Sequence, residues 1–361
     1  MPRGLAIAIA VALAVVAVAS IELRFGDASP ARPVSSNPEV GSGALVYLTR
    51  DHGRARVWVV DLVAGVAQQG PAVPPGTAEL VDVSGAGSGW VGVERRVGRR
   101  MVAASVLRGV GPDADVEGLG RGDLVAWGPR GRSLVFARNG RQARAGCAPV
   151  RISLVTVVTE KEEWALDDPG FCGPVLSLSR SAAATYFTAA SGDRLSVYLT
   201  GIVGVPHLMF DGLGIITASP PSAFLLSPGL PRASRGEPPS GAGTVLGWKG
   251  IGGPVTVGNG QDVLAIERIL SWSTDGSRVA LVGGLGARRG VFVLDAGSGS
   301  ATRVPRYVMP AEPALDGTFD DRGRLYLVAN GEILVAGDGP PRRLPLPSGA
   351  PRPSGPIVWI P

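Results

Sequence analysis

Trp272-Ser-Thr-Asp-Gly276, followed at once by the β-rich run Val279-Ala-Leu-Val282, is the stretch on which the fold turns. A large apolar residue ends one strand, turn-formers and a glycine reverse the chain, and the next strand begins. The phrase returns as Trp127-Gly-Pro-Arg-Gly131 before Leu134-Val-Phe136, and as Phe319-Asp-Asp-Arg-Gly323 before Leu325-Tyr-Leu-Val328. With 53 glycines in 361 residues, a glycine four places after any one aromatic is a one-in-seven accident. Three matches, each followed by a β-branched or aromatic run, are not explained by composition. Looser copies start at Val83, Leu178 and Ala218. A second hairpin repeats too: Val57-Trp-Val-Val-Asp61 leads to Gly65, as Val291-Phe-Val-Leu-Asp295 leads to Gly297 and Gly299.

The ends of the chain complete one another. The first β-run, Gly43 to Thr49, has no phrase before it, and Ile357-Val-Trp359-Ile-Pro361 is the front half of a phrase with no run behind it. Joined, they make one unit, so the C-terminal strand is expected to pair into the N-terminal sheet and close a ring. The phrase starts at 83, 127, 178, 218, 272, 319 and 359, a mean spacing of 46. Repeats of that period and content predict an all-β, seven-bladed β-propeller over 43–361. Six blades is the alternative, should the proline-rich stretch 218–260 form no full blade. A propeller is a scaffold, and a scaffold does not name its own ligand.

Arg3 followed by an unbroken apolar run from Gly4 to Ser20 reads as a secretory signal peptide or signal anchor within residues 1–25, one hydrophobic helix ahead of the ring. Ala17-Val-Ala19 offers small residues for cleavage, while the length of the run permits a single membrane span. In either case Arg3 stays on the cytoplasmic side and the propeller lies outside. Residues 26–42, with Pro30, Pro33 and Pro38, read as a flexible linker. Cys147 and Cys172 fit an oxidising compartment, where a disulfide is the expected state. The net charge of +5 is carried almost wholly by arginine, with lysine only at 161 and 249, which points to coding bias rather than to a nucleic-acid partner.

Trp272 to Leu281 resembles the WD40-like repeats of the TolB-like bacterial propeller group, whose usual form is W-S-P-D-G-x-x-L/I-A-F. Trp127 to Phe136 is similar, with Arg130 where the group has Asp, and Phe319 to Val328 is a looser copy. The resemblance implies a periplasmic or cell-surface propeller engaged in protein contacts. Proteins of the TolB type carry a further N-terminal α/β domain, which residues 21–42 are too few to form, so only the propeller is implied.

The phrase residues Trp127, Gly131, Trp272, Asp275, Gly276, Phe319, Gly323 and Trp359 are read as structural, the aromatics packing between blades and the others building turns. Asp113-Ala-Asp115-Val-Glu117 alternates carboxylates as a calcium loop would, but no full ligand loop follows, and no cofactor is expected. Arg95-Arg96-Val-Gly-Arg99-Arg100 falls where a hairpin turn is due. The polar segment 227–243, containing Pro228, Arg232, Arg235 and Glu237, reads as a disordered loop or a partner-docking loop. No nucleophile elbow with a histidine base can be found, and His52 and His207 are the only histidines. The reading that follows is a non-catalytic binding or scaffold module with a cell-envelope protein partner. An extracytoplasmic lactonase- or glycosidase-like hydrolase, or a small-molecule or glycan sensor, is the alternative. Carboxylates converging on the pore would distinguish the hydrolase.

Overall fold

The computed structural model describes residues 43–361 apart from 52–53, 99–100, 141–149, 169–170, 172–173, 182–183, 192–193, 201–204, 213, 219–223, 228–244, 248–254, 257–261, 263, 306–314 and 338. The expected helix and linker of 1–42, both cysteines, and Pro228, Arg232, Arg235 and Glu237 lie outside the described residues. Among the described residues no helix is long and apolar enough to cross a membrane.

The described strands form seven antiparallel four-stranded sheets, numbered I to VII here, and the protein is an all-β propeller. Sheet I is built from residues 44–73 together with Ile357–Ile360, and sheets II, III and IV from 77–122, 124–168 and 175–211. Sheets V, VI and VII take 214–256, 264–303 and 316–343. Sheet V, drawn from the proline-rich stretch, is the slightest, with strands of five, four, three and two residues. The first strand of each sheet is the inner one: Thr77–Asp82, Leu124–Trp127, Val175–Arg180, Gly214–Ala218, Leu264–Trp272 and Asp316–Phe319. These strands approach those of neighbouring sheets around a common axis. In sheet I the inner place is taken by the C-terminal strand, which runs antiparallel to Ala44–Asp51 with Leu45 opposite Trp359. The pairing covers the inner edge of Ala44–Asp51.

The core is a series of apolar seams between successive sheets, because strands such as Leu325–Ala329 are buried on both faces. Val83, Ala104 and Val106 of sheet II meet Leu134 and Phe136 of sheet III, with Trp127 packed against them. Ala280, Val282 and Val291 of sheet VI meet Phe319, Leu325 and Leu327 of sheet VII. Tyr326 and Val328 of sheet VII meet Leu45, Tyr47 and Trp359 of sheet I, and the Tyr326 and Trp359 rings stack 5.8 Å apart. Trp272 lies on the opposite face of sheet VI, against Val279 and Phe292.

The three phrases make one type of turn. The residue after the aromatic is bonded backbone to backbone across the hairpin: Gly128 N–H to Ser133 C=O, Ser273 to Arg278 and Asp320 to Arg324. The phrase glycine then donates back to it, Gly131 to Gly128, Gly276 to Ser273 and Gly323 to Asp320. Those glycines have φ of 64°, 67° and 73°, a region costly for any side chain. At Gly131 a Cβ would also lie 2.5 Å from Val83 Cγ2. Asp275 holds its turn by accepting from Ser273 Oγ at 2.6 Å and from Ser277 Oγ at 2.7 Å.

The register corrects two of the looser copies. The residue at the turn end of each inner strand is Asp82 opposite Val91, and Arg180 opposite Thr185. The repeats expected from Val83 and Leu178 are therefore one and two residues out of step, and a charged side chain stands where the strong copies have an aromatic. Apolarity alone misplaced them, since in these two sheets the turn-end position is held by charged residues, Asp82 and Arg180.

Candidate functional site

Counting along the inner strands from the turn brings together residues that look unrelated in sequence. Glu79, Ser177, Arg268 and Asp316 each lie opposite the residue three beyond the one facing the turn, namely Glu94, Thr188, Val282 and Val328. They form one layer around the axis. In three of the four strands a bulge lies next to this residue, between Thr77 and Glu79, Val175 and Ser177, and Ile266 and Arg268. Bulges bend a strand and re-aim its side chains.

Within the layer, an Asp316 carboxylate oxygen accepts the Ile357 N–H at 3.0 Å and an Arg268 guanidinium N–H donates to the Leu315 carbonyl. Both contacts cross a seam. Glu79 and Glu94 are direct cross-strand neighbours, so two carboxyls share one face of sheet II. Glu79 and Arg268 are open to solvent although they lie deep in the ring, as expected of side chains lining a channel.

The electrostatics tie sheets II, VI and VII together. Burial raises the Glu79 carboxyl above its ordinary range, and the charges of Arg268 and Arg96 partly reverse this. Burial, then repulsion from Glu79, pushes Glu94 well above its usual range. The Trp127 indole lies near enough to offset part of that shift without reaching hydrogen-bonding geometry. Burial pushes Asp316 up to about 7, against the N–H groups of Ile357 and Gly317, and the Glu79 charge adds to the rise. Glu94 is thus biased further towards its protonated form than Glu79, whose rise is opposed by the arginine charges. The layer sets two carboxyls of unequal proton affinity beside the guanidinium charges of Arg268 and Arg96, an arrangement able to contact a polar ligand.

None of these four charged residues was singled out from the sequence. The available signal is a charge set within an otherwise apolar inner strand, three or four places ahead of the turn, as in Ile266-Glu-Arg-Ile269. Of the residues marked in the sequence, Arg96 and Trp127 border the Glu79–Glu94 pair and the others lie elsewhere. Glu117 of the acidic loop pairs with Arg108 at 2.5 Å, and Arg108 also meets Glu160 and covers the Trp90 ring at 5.0 Å. Among the described residues no three metal-ligating side chains gather. Arg95 and Arg96 end the strand Val91–Val97 at a hairpin whose Gly98 has φ 65°; Arg99 and Arg100 lie outside the described residues.

No protein-family profile and no curated protein matches the chain. Among solved structures it is similar to the β-propeller domain of the Trilobed protease from Pyrococcus furiosus, with 10% identity, a TM-score of 0.51, and 86% of this chain and 95% of that one covered. That domain is described as having an open velcro topology, whereas here the C-terminal strand pairs with the N-terminal one. A putative 6-phosphogluconolactonase from Bacteroides fragilis is similar at 12% identity and TM-score 0.51, covering 88% and 98%. TolB from Acinetobacter baumannii aligns at 15% identity over 88% and 81% with a TM-score of 0.45. At such identities the likeness establishes the fold alone, and the fold is a β-propeller.

Proposed function

We propose that this chain is an exported, seven-bladed propeller, held at the membrane by residues 1–25 through the linker 26–42 or released after cleavage. It serves as a non-catalytic binding and scaffold module for a cell-envelope protein. The observation that supports this reading is the placement of its longest insertion. Ser227 and Val245, which flank the polar segment, end the second strand and begin the third strand of sheet V. Ser227 and Val245 therefore stand at the same end of their strands as the residues flanking the corresponding hairpins of the other sheets, in a ring closed by the C-terminal strand. Crosslinking in intact cells followed by capture of the full chain tests it. A near-stoichiometric envelope protein that disappears on deletion of 227–243 is the expected result; capture of the propeller alone overturns it.

The axial carboxyls favour a second reading, an extracytoplasmic hydrolase. There Glu94 would act as general acid and Glu79 as base, with Arg268 steadying developing negative charge. Its test is hydrolysis of lactones and glycosides by the purified chain. Turnover that both Glu79→Gln and Glu94→Gln abolish, with folding intact by circular dichroism, supports it. Turnover unaffected by either removes it.

A further inference from the structure

The two faces of the ring use their charged residues differently. On the face of the phrase turns, acids do the work of folding. Asp61 accepts the N–H groups of Val63 and Ala64 at 2.8 Å, and Asp295 accepts those of Gly297 and Ser298 at 3.1 and 2.7 Å. Asp320 binds its turn and Arg324. The opposite face carries the hairpins between second and third strands, and those of sheets I, II, III, IV and VI are each flanked by arginine. No turn requires an arginine; glycine supplies the conformation, as at Gly98 and Gly286.

Three acids on this hairpin face are ion-paired, and Asp51 stands in register with Arg54 at the tip of the sheet I hairpin. Asp211 pairs with Arg194 at 3.5 Å, Glu267 with Arg289 at 2.5 Å and Glu332 with Arg343 at 3.3 Å. Arg50, Arg54, Arg138 and Arg288 are exposed, and none has a carboxylate within 4 Å among the described residues. Arg138 does donate its Nε to the Arg121 carbonyl at 3.0 Å, which leaves the guanidinium charge unmatched and fixes its direction. The result is a surplus of positive charge distributed around one face.

We infer that this face binds a linear, phosphate-bearing polyanion. The inference rests on the binding-module reading and names a partner chemistry for it. A guanidinium presents a planar fork that matches two phosphate oxygens, and several such forks arranged around a rim suit a chain that lies across them. Each phosphate neutralised releases condensed counterions, so the contact gains most at low salt. A polymer is preferred to a bilayer because the arginines flank hairpins of five different sheets spread around the ring rather than gathering in one patch.

The test is fluorescence anisotropy of end-labelled inorganic polyphosphate titrated with the detergent-solubilised full chain over a series of salt concentrations. Binding should weaken linearly in a plot of log K against log salt. The double variant Arg54→Gln/Arg288→Gln should make that slope shallower by about 1.4, at about 0.7 for each arginine. Arg132→Gln/Arg322→Gln, on the phrase-turn face, should leave it unchanged. Absence of binding at low salt, or equal loss in both double variants, overturns the inference. Equal affinity for poly-glutamate removes phosphate as the recognised group. Retention on anionic vesicles without polyphosphate binding replaces the polymer by a bilayer. If polyphosphate binds as expected while in-cell crosslinking captures no protein, the protein-scaffold reading fails and this one stands.

Discussion

Replacing Asp316 by asparagine should make the protein more stable above neutral pH, and the size of the gain can be worked out from its surroundings. Asparagine keeps an oxygen to accept the Ile357 N–H and discards only the charge. The carboxyl has an ordinary value of 3.8 and is held at about 7 in the folded ring, mainly by burial. Below 3.8 both folded and unfolded chains bind the proton, and the group costs nothing. Between 3.8 and 7 the folded chain holds a proton that the unfolded chain has released, so stability falls as pH rises; above 7 the whole cost is present. Each pH unit in that window is worth about 1.4 kcal/mol. From pH 5 to pH 7 the wild type should therefore lose roughly 2–3 kcal/mol that Asp316→Asn does not lose. Urea unfolding followed by tryptophan fluorescence at pH 5, 6, 7 and 8, on both proteins, isolates the term as a difference. A difference that stays flat with pH, or that grows in favour of the wild type, would refute the placement of Asp316 in a buried axial layer.

Gly131→Ala should cost at least about 1 kcal/mol more than Gly65→Ala, because both glycines have positive φ but only Gly131 faces Val83, a contrast that denaturant midpoints will resolve. Asp275, held down to about 2 by the hydroxyls of Ser273 and Ser277, should stabilise its turn above the ordinary carboxylate range and lose that contribution as pH falls towards 2. Since it is exposed, Asp275→Ala should cost no more than about 1 kcal/mol at neutral pH, read by thermal melting. Deleting 357–361 removes four side chains, each at most 6% exposed, worth roughly 6–12 kcal/mol. That is comparable with the whole stability of a domain, so light scattering should find no folded monomer. Cys147 and Cys172 should resist alkylation until reduced, and reduction should cost about 3 kcal/mol in a denaturant titration.

The fold could be read early because its signal is local. A turn needing positive φ can be recognised from glycine and its neighbours, and Gly131, Gly276 and Gly323 all stand where the phrase put them. The closing strand was also legible, since Ile357-Val-Trp359 is a half-phrase in search of its other half. What failed was the alignment of weak copies, where Arg180 holds the turn-end position and its charge hides the equivalence. The axial layer was harder still. Glu79, Arg268 and Asp316 belong to three different sheets, and a bulge at Leu270 sets Arg268 four places from the turn residue where Glu79 and Asp316 are three. Only the hydrogen-bond register counts them as equivalent.

The pairing of Leu45 with Trp359 also sets the order in which this protein can come into being. Sheet I lacks its inner strand until residue 360 has been made, although its other three strands are the first to be synthesised. The first strands produced must therefore wait beside an unfilled edge while the rest of the ring is laid down. A contact spanning more than three hundred residues also closes slowly. The ring is thus a structure that a partial chain cannot reach, and a polypeptide threaded through a narrow passage from its N-terminus would stay open until its last turn had cleared.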